Sequence, residues 1–238
     1  GGALAALNCE LSLDHVTFPR NRAELGGSGG ALYARGGSLT ANRIYLLGNQ
    51  AVSYGGGAFL PYLSELVLTN TVAVGNQAYV GGAMAIWSTD AAHLSHLSLV
   101  DNLAQSLGDS LYGFACNVSI SNAIMLDTSK ASTMSSSTAT LTSSCIESMV
   151  GMTSSTEVLE TCTTTFTSAP SSGADETWGT SDDDYGNLIP ASGQPGENTG
   201  TTSITSDLGL NEDASGSPRL CGASVDMGAY EVQVGCSE

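Results

Sequence analysis

The chain has 238 residues, and its 6 basic against 23 acidic side chains give a net charge of −17. That balance excludes nucleic acid as an ordinary partner, because binding phosphates needs a basic surface, and it disfavours anionic membrane surfaces. No stretch reaches the ~18 apolar residues of a membrane-spanning segment, and the length suits one domain.

Two short motifs recur at nearly constant spacing through the first half of the chain. Gly-Gly-Ala begins at Gly1, Gly29, Gly56 and Gly81. An asparagine follows in step, with intervals of 28, 27 and 26 residues, at Asn21, Asn49, Asn76 and Asn102. A fixed period of this size indicates a solenoid, in which each repeat is one turn that buries its apolar face against its neighbours. We expect the four asparagines to form a structural ladder at the bends rather than a ligand site.

Within each repeat the apolar residues lie two apart, which is the period of a β-strand. The aligned columns are Leu11, Leu39, Leu66, Ala92 and Val118; Leu13, Ala41, Leu68, Leu94 and Ile120; and Phe18, Leu46, Val74, Leu99 and Met125. A polar column marks the bend between the second and third of these, at His15, Arg43, Asn70, His96 and Asn122. A further apolar position after Gly-Gly-Ala holds Leu32, Phe59 or Met84.

Three short strands per turn, separated by bends rich in Gly and Asn, predict an all-β fold, the parallel β-helix, with about 25–28 residues per turn. Gly and Asn suit the bends because both enter left-handed backbone conformations at little cost. An α-helical interpretation fails because the apolar spacing is two and because 29 of the residues are glycine.

The pattern divides the chain into three parts. Residues 1–128 are predicted to form the regular turns, and 129–175, which are rich in Ser and Thr, to form irregular turns. A disordered or glycosylated stalk is the alternative for this middle part. Residues 176–238 are predicted to be loop-rich and folded back along the outside. Calcium is possible at the acidic run Asp182, Asp183 and Asp184, against a solvated loop as the competing interpretation.

The six cysteines lack the CxxC spacing of zinc sites or redox pairs, and their even number fits an oxidising, extracytoplasmic setting. Cys9 and Cys116 share a column four turns apart, roughly 19 Å, whereas a disulfide needs α-carbons within about 7 Å. The preferred local bridges are Cys145–Cys162 and Cys221–Cys236, which leaves Cys9 and Cys116 without a partner.

The chain begins inside a repeat, since Gly1-Gly2-Ala3 matches Gly29-Gly30-Ala31. A solenoid that starts within a turn exposes an apolar end and an unpaired strand edge. We therefore expect either upstream sequence or another subunit to cover this turn.

Near the C-terminus, Gly216-Ser217-Pro218-Arg219 and Val225-Asp226-Met227-Gly228-Ala229-Tyr230-Glu231 form a distinctive pair of motifs. They resemble the closing motif of bacterial right-handed parallel β-helix proteins of the choice-of-anchor Q type. The Gly-Gly-Ala and Asn repeats are also similar to those of chlamydial polymorphic outer-membrane proteins. The resemblance implies a right-handed helix and a secreted or cell-surface protein, in a group where many members have no assigned activity.

Two functions remain open. Polysaccharide lyases and glycoside hydrolases use parallel β-helices, but they need a base or a pair of carboxylates on facing turns. Arg35 and Arg43 are candidate bases without a neighbouring carboxylate column, and the acidic residues occupy different columns or distant turns, at Asp14, Asp90, Asp101 and Asp109. We therefore expect a non-catalytic structural or adhesive protein with no metal site. Its expected partner is a surface or matrix component, or a second copy docked on the open N-terminal turn.

Overall fold

The computed structural model describes residues 1–126, 129–151, 153–159, 162–234 and 236. Within these residues the chain forms a parallel β-solenoid of about five turns, with one short helix. The strands are β1 (Leu4–Pro19), β2 (Arg22–Ala23), β3 (Leu32–Leu47), β4 (Gln50–Ala51), β5 (Ala58–Pro61), β6 (Glu65–Val74), β7 (Gln77–Val80), β8 (Met84–Trp87), β9 (Ala92–Val100), β10 (Leu103–Leu107), β11 (Leu111–Phe114), β12 (Asn117–Ser121), β13 (Ile124–Leu126), β14 (Ser132–Ser135), β15 (Thr138–Thr142), β16 (Cys145–Ile146), β17 (Met149–Val150), β18 (Ser154–Thr156), β19 (Phe166–Ser168) and β20 (Asn187–Pro190); the helix α1 is Thr202–Asp207.

Strands stack in parallel around three sides of the solenoid. The first side continues from the start of β3 through β5, β8, β11, β14 and β17, and the second from the rest of β3 through β6, β9, β12, β15 and β18. The third side is the short sheet β2-β4-β7-β10. Equivalent residues of successive turns therefore lie one above another, as Leu39, Leu66 and Ala92 do in the core.

Two of the predicted columns are out of register by one residue. Leu46 pairs with Ala73 rather than Val74, and Leu32 pairs with Ala58 rather than Phe59. Because turn length varies, a column that is extended by a constant number of residues per turn reaches a position one residue too far along the next turn. Since a shift of one residue moves a side chain to the opposite face of a strand, Val74 and Phe59 lie outside the solenoid core.

The polar bend column adopts the left-handed conformation at every turn. The φ angles of its five residues lie between 49° and 56°, at His15, Arg43, Asn70, His96 and Asn122. Asparagine and histidine are enriched in this region, and asparagine tolerates it because its side chain bonds locally, whereas for arginine it is uncommon. At Arg43 the bend is therefore imposed by the stacking of neighbouring turns.

The turns shorten along the chain. Hydrogen-bonded side chains of neighbouring turns are 28 residues apart at Asp14 and Asn42, and 26 apart at Ser95 and Ser121. The interval falls to 21 between Asn117 and Thr138, and to 14 between Ser143 and Glu157. The solenoid thus tapers toward its C-terminal turns.

Beyond the turns, the chain folds back along the outside of the solenoid. The short antiparallel pair β19-β20 precedes α1, and both contribute to this covering layer. The Trp178 ring lies so close to Gly75 that a Cβ there would approach it within 2.4 Å. Val74 is buried beneath this layer, together with Val72 and Val100, in a cluster that also contains Leu188 and Ala214.

Two disulfides fasten the C-terminal half. They join Cys145 to Cys162 and Cys221 to Cys236, each with α-carbons 5.1 Å apart, and these are the two bridges preferred from the sequence. Cys9 is a free, exposed thiol, and Cys116 is a free, buried one. Burial raises the pKa of the Cys116 thiol.

Candidate functional site

The first side of the solenoid carries a row of aromatic side chains on its outer surface. Tyr33 and Phe59 pair in one outward column, and Trp87 and Phe114 pair in the next. Tyr54, from the loop before β5, leans over Phe59 and Trp87. We call these five residues the aromatic face.

The rings of the aromatic face contact one another from turn to turn. Ring centroids are 5.7 Å apart for Tyr33 and Phe59, 5.4 Å for Phe59 and Trp87, and 5.6 Å for Trp87 and Phe114. Tyr54 lies 4.5 Å from Trp87 in an edge-on arrangement. These distances and tilts are those at which aromatic pairs attract one another. Tyr33, Phe59, Trp87 and Phe114 therefore form a row that crosses four successive turns along the solenoid axis, with Tyr54 beside it.

The aromatic face is partly open to solvent. Phe59 is only 7% exposed because the surrounding rings cover it, whereas Phe114 is 39% exposed. Tyr33, Tyr54 and Trp87 are half-buried. A contiguous apolar surface of this kind on a soluble protein is typical of an interaction site.

The aromatic face is also free of acidic side chains. The strand segments beneath it read LYAR, AFLP, MAIW and LYGF, without Asp or Glu, in a chain that contains 23 acidic residues. Their single charged residue is Arg35, whose guanidinium carbon lies 5.4 Å from the centre of the Tyr62 ring. The face thus differs from the acidic remainder of the molecule in both polarity and charge.

The repeat pattern does not predict the aromatic face, because a fixed step between repeats places Phe59 in a core column. With the correct register, Tyr33, Phe59 and Tyr112 fall in one outward column, and Trp87 and Phe114 fall two residues further on. The informative signal is therefore the alternation of aromatic residues with core residues in four consecutive repeats, rather than the low total aromatic content.

The four predicted asparagines stack into a ladder at the bend that directly precedes the strands of the third side, β2, β4, β7 and β10; they are Asn21, Asn49, Asn76 and Asn102. The Asn76 Oδ1 accepts two hydrogen bonds from Asn49, one from its backbone N–H at 3.0 Å and one from its Nδ2 at 2.9 Å. The same pair of bonds joins Asn21 to Asn49 and Asn76 to Asn102. Each Nδ2 from Asn49 onward also donates to a backbone carbonyl of the preceding turn.

Because Asn49, Asn76 and Asn102 have no exposed surface, their amides have no access to an external ligand. Their bonds saturate buried backbone groups that would otherwise lack partners. The ladder is part of the framework.

The two C-terminal motifs meet in a buried cluster of charged residues. Asp213, Arg219, Asp226 and Glu231 are all essentially inaccessible to solvent, and we call them the closing cluster. Arg219 donates from Nη1 to the Gly228 carbonyl at 3.2 Å, and its Nη1 lies 3.8 Å from Glu231 Oε2. Burial lowers the pKa of Arg219 to about 10 and raises the pKa of Glu231 to about 7.

The carboxylates of the closing cluster bind backbone amides of the C-terminal segment. Asp226 accepts from the N–H groups of Asn198 and Val232, both at 2.6 Å. Glu231 accepts from Cys221 at 3.1 Å and from Asp226 at 2.9 Å. Asp226 and Glu231 therefore link backbone positions that are far apart within the C-terminal segment.

The segment that contains the closing cluster, residues 196–233, docks along the bend column. As this segment continues toward the C-terminus, it contacts the bend residues in descending order, from the later turns to the earlier ones. The contacts are Thr201 N–H to Asn122 Oδ1 at 2.7 Å, Thr205 Oγ1 to His96 Nε2 at 2.9 Å, Asn70 Nδ2 to the Glu212 carbonyl at 3.0 Å, and Arg43 Nη1 to Glu212 Oε2 at 2.7 Å. The polar bends thus serve as anchoring points for the C-terminal segment.

Of the residues considered for catalysis, Arg43 and Asp14 are brought together, as an ion pair. Arg43 is held between Asp14 and Glu212, with 2.7 Å to each carboxylate, and the Asp14 hydrogen bond raises the pKa of Arg43. A guanidinium with a raised pKa is a poor base. Asp109 is fully buried and accepts from backbone N–H groups at Ala104 and Lys130, which fixes the loop between them.

The acidic run Asp182–Asp184 organises its own loop. Asp183 accepts from the backbone N–H groups of Gly179 and Thr180 and from the Tyr185 hydroxyl. Asp182 accepts from Ala174, and Asp184 from Gly186. Over the part of the chain that the structure describes, no three His, Cys, Asp or Glu side chains group closely enough to hold a metal ion. None of the helical residues described forms a segment long and apolar enough to cross a membrane.

Comparison of the chain with protein families, curated proteins and solved structures finds no match. The choice-of-anchor Q resemblance therefore stays a prediction that rests on the C-terminal motif and the repeats. The parallel β-solenoid itself is established by the structure.

Proposed function

We propose that this protein is a secreted, surface-associated and non-catalytic rod that adheres to a cell-surface or matrix component through its aromatic face. The single observation that carries this proposal is the row of partly open aromatic rings on a side without acidic residues. Secretion is supported by the two disulfides, which persist in oxidising compartments.

The framework suits such a role because it is held rigid along its length. The asparagine ladder links successive turns from within, and residues 196–233 link them from outside. A partner bound along several turns therefore meets a preorganised surface, which reduces the entropy cost of binding.

The proposal is tested by incubating the protein with insoluble cell-wall and matrix polysaccharides, with and without calcium, and by following both retention and product formation. We expect retention without unsaturated or reducing-end products. Release of product from any polymer would establish the alternative, a polysaccharide-degrading enzyme, and absence of both signals would overturn the adhesive proposal.

A double variant, Trp87→Ala with Phe114→Ala, should lose retention if the aromatic face is the adhesive surface. Tyr79→Ala is the matched control, because Tyr79 is 52% exposed but lies on β7, on the third side. Equal retention by both variants would show that another surface binds.

A further inference from the structure

We infer that the occupant of the aromatic face is a neutral, unbranched polysaccharide that lies along the solenoid axis. This inference rests on the proposed adhesive function and names the chemical class of the partner. Three properties of the face support it: the linear arrangement of the rings, the absence of acidic charge, and the polar groups at its edge.

The linear arrangement favours an extended chain. Tyr33, Phe59, Trp87 and Phe114 follow one another at 5.4–5.7 Å, a spacing on the scale of one sugar ring. The apolar C–H face of a pyranose packs on an aromatic ring through dispersion and the ring quadrupole. Sugar units of a linear chain would thus meet Tyr33, Trp87 and Phe114, which keep exposed surface, while the buried Phe59 supports these rings from beneath.

The charge pattern favours a neutral chain. With a net charge of −17, the protein repels polyanions at long range, so a polyuronate would be disfavoured. The four strand segments of the face carry no carboxylate that could attract a cationic partner, and their one guanidinium, on Arg35, is already placed over Tyr62.

The edge of the face supplies groups that bind hydroxyls. Tyr33 and Tyr54 are half-buried and Tyr62 is 52% exposed, and each carries a phenolic O–H that donates and accepts. Aromatic rings flanked by a few polar groups are the usual composition of sites for uncharged polar ligands.

The experiment uses Trp87 as a reporter. The protein has two tryptophans, and Trp178→Phe leaves Trp87 as the only one, while a phenylalanine preserves the stacking on Tyr185. Soluble neutral oligosaccharides of increasing length are then titrated while the fluorescence of Trp87 is followed. We expect a spectral shift and an affinity that rises with length up to about four sugars, which span the row from Tyr33 to Phe114, and then levels off.

Phe114→Ala should weaken binding of the longest oligosaccharide about tenfold, which corresponds to about 1.4 kcal/mol. Tyr79→Ala should bind like the parent. Because Phe114 is partly exposed, the variant should remain folded, and its far-UV circular dichroism and thermal midpoint verify this.

The outcomes separate the two proposals. If no neutral oligosaccharide changes the Trp87 signal and only charged or branched insoluble polysaccharides retain the protein, the inference of a neutral, unbranched chain fails and the adhesive function stands. If retention is also absent, both fail. If light scattering shows a mass that grows with concentration and the Trp87→Ala variant abolishes this growth, the occupant is a second copy of the chain, which also overturns the inference.

Discussion

At the scale of single residues, Asn49, Asn76 and Asn102 each donate and accept hydrogen bonds from a buried position. The Asn76 side chain accepts two bonds from Asn49, and its Nδ2 donates to Asn102 Oδ1 and to the Leu46 carbonyl. Aspartate lacks the donors, and serine is too short to span two turns. Asparagine is therefore the residue type that links the preceding and following turns at once.

Asn76→Ala should destabilise the protein by about 3 kcal/mol, since it leaves several buried polar groups without partners. Asn21→Ala should cost clearly less, because Asn21 lies at the end of the ladder and is partly exposed. Urea denaturation of both variants measures the difference. Equal losses would mean that the ladder contributes no more in its middle than at its end.

His96 makes stability depend on pH. It is fully buried beside Thr205, and burial, reinforced by the charge of Arg219, holds its pKa well below 6.5. The unfolded chain binds a proton at this histidine below pH 6.5 while the folded chain does not, so stability is lost as the pH falls through that range.

His96→Asn should remove this part of the acid sensitivity, because asparagine occupies the same bend at Asn70 and Asn122. Relative to pH 7.5, the parent should lose on the order of 2 kcal/mol more than the variant by pH 5. Denaturation at a series of pH values checks this. Parallel stability profiles for the two proteins would contradict it.

At the scale of elements, the C-terminal segment is held by one buried cation. Arg219 joins Gly228 and Ala229 of its own segment to Asn70 of the bend column. Removal of one member of a buried ionic group commonly costs 3–5 kcal/mol, because the remaining charges keep no counterpart. Without Arg219, the three buried carboxyl groups of the closing cluster, on Asp213, Asp226 and Glu231, would have no cationic counterpart.

Arg219→Met should therefore loosen residues 196–233 while the inner turns stay folded. We expect faster amide hydrogen exchange at Val74 and Val100, which this layer covers, and easier proteolysis within the segment. Arg20→Met is the matched control, because Arg20 also bonds the C-terminal part, at the Thr180 carbonyl, but from an exposed position. Unchanged exchange in Arg219→Met would show that apolar packing alone holds the segment.

The elements differ in how far the sequence predicts them. Strand period, bend residues and the two disulfides follow from local patterns, because spacing two and left-handed bends need no knowledge of distant residues. The one-residue shifts at Ala58 and Ala73 do not, since they depend on how each turn closes against the next. The aromatic face was hidden by the first of these shifts, and the docking of Glu212 on Arg43 joins residues 169 apart in sequence.

At the scale of the whole molecule, charge and apolar surface are distributed unequally. Acidic residues are excluded from the strands of the aromatic face, while four charged side chains are buried beneath the C-terminal layer. The absence of acidic residues leaves the aromatic face able to contact a neutral surface. The buried charged side chains fix residues 196–233, which cover the bend column. The right-handed sense of the solenoid, its secretion and its partner stay predictions.

The shortening of the turns has a consequence for their order along the chain. Backbone groups in a sheet need partners on the neighbouring turn, and an interval of 28 residues offers more such groups than an interval of 14. If a long turn were exchanged for a short one, part of the neighbouring long turn would lose its backbone partners. The turns of this solenoid are therefore not interchangeable modules, because each has a length that matches the turns beside it.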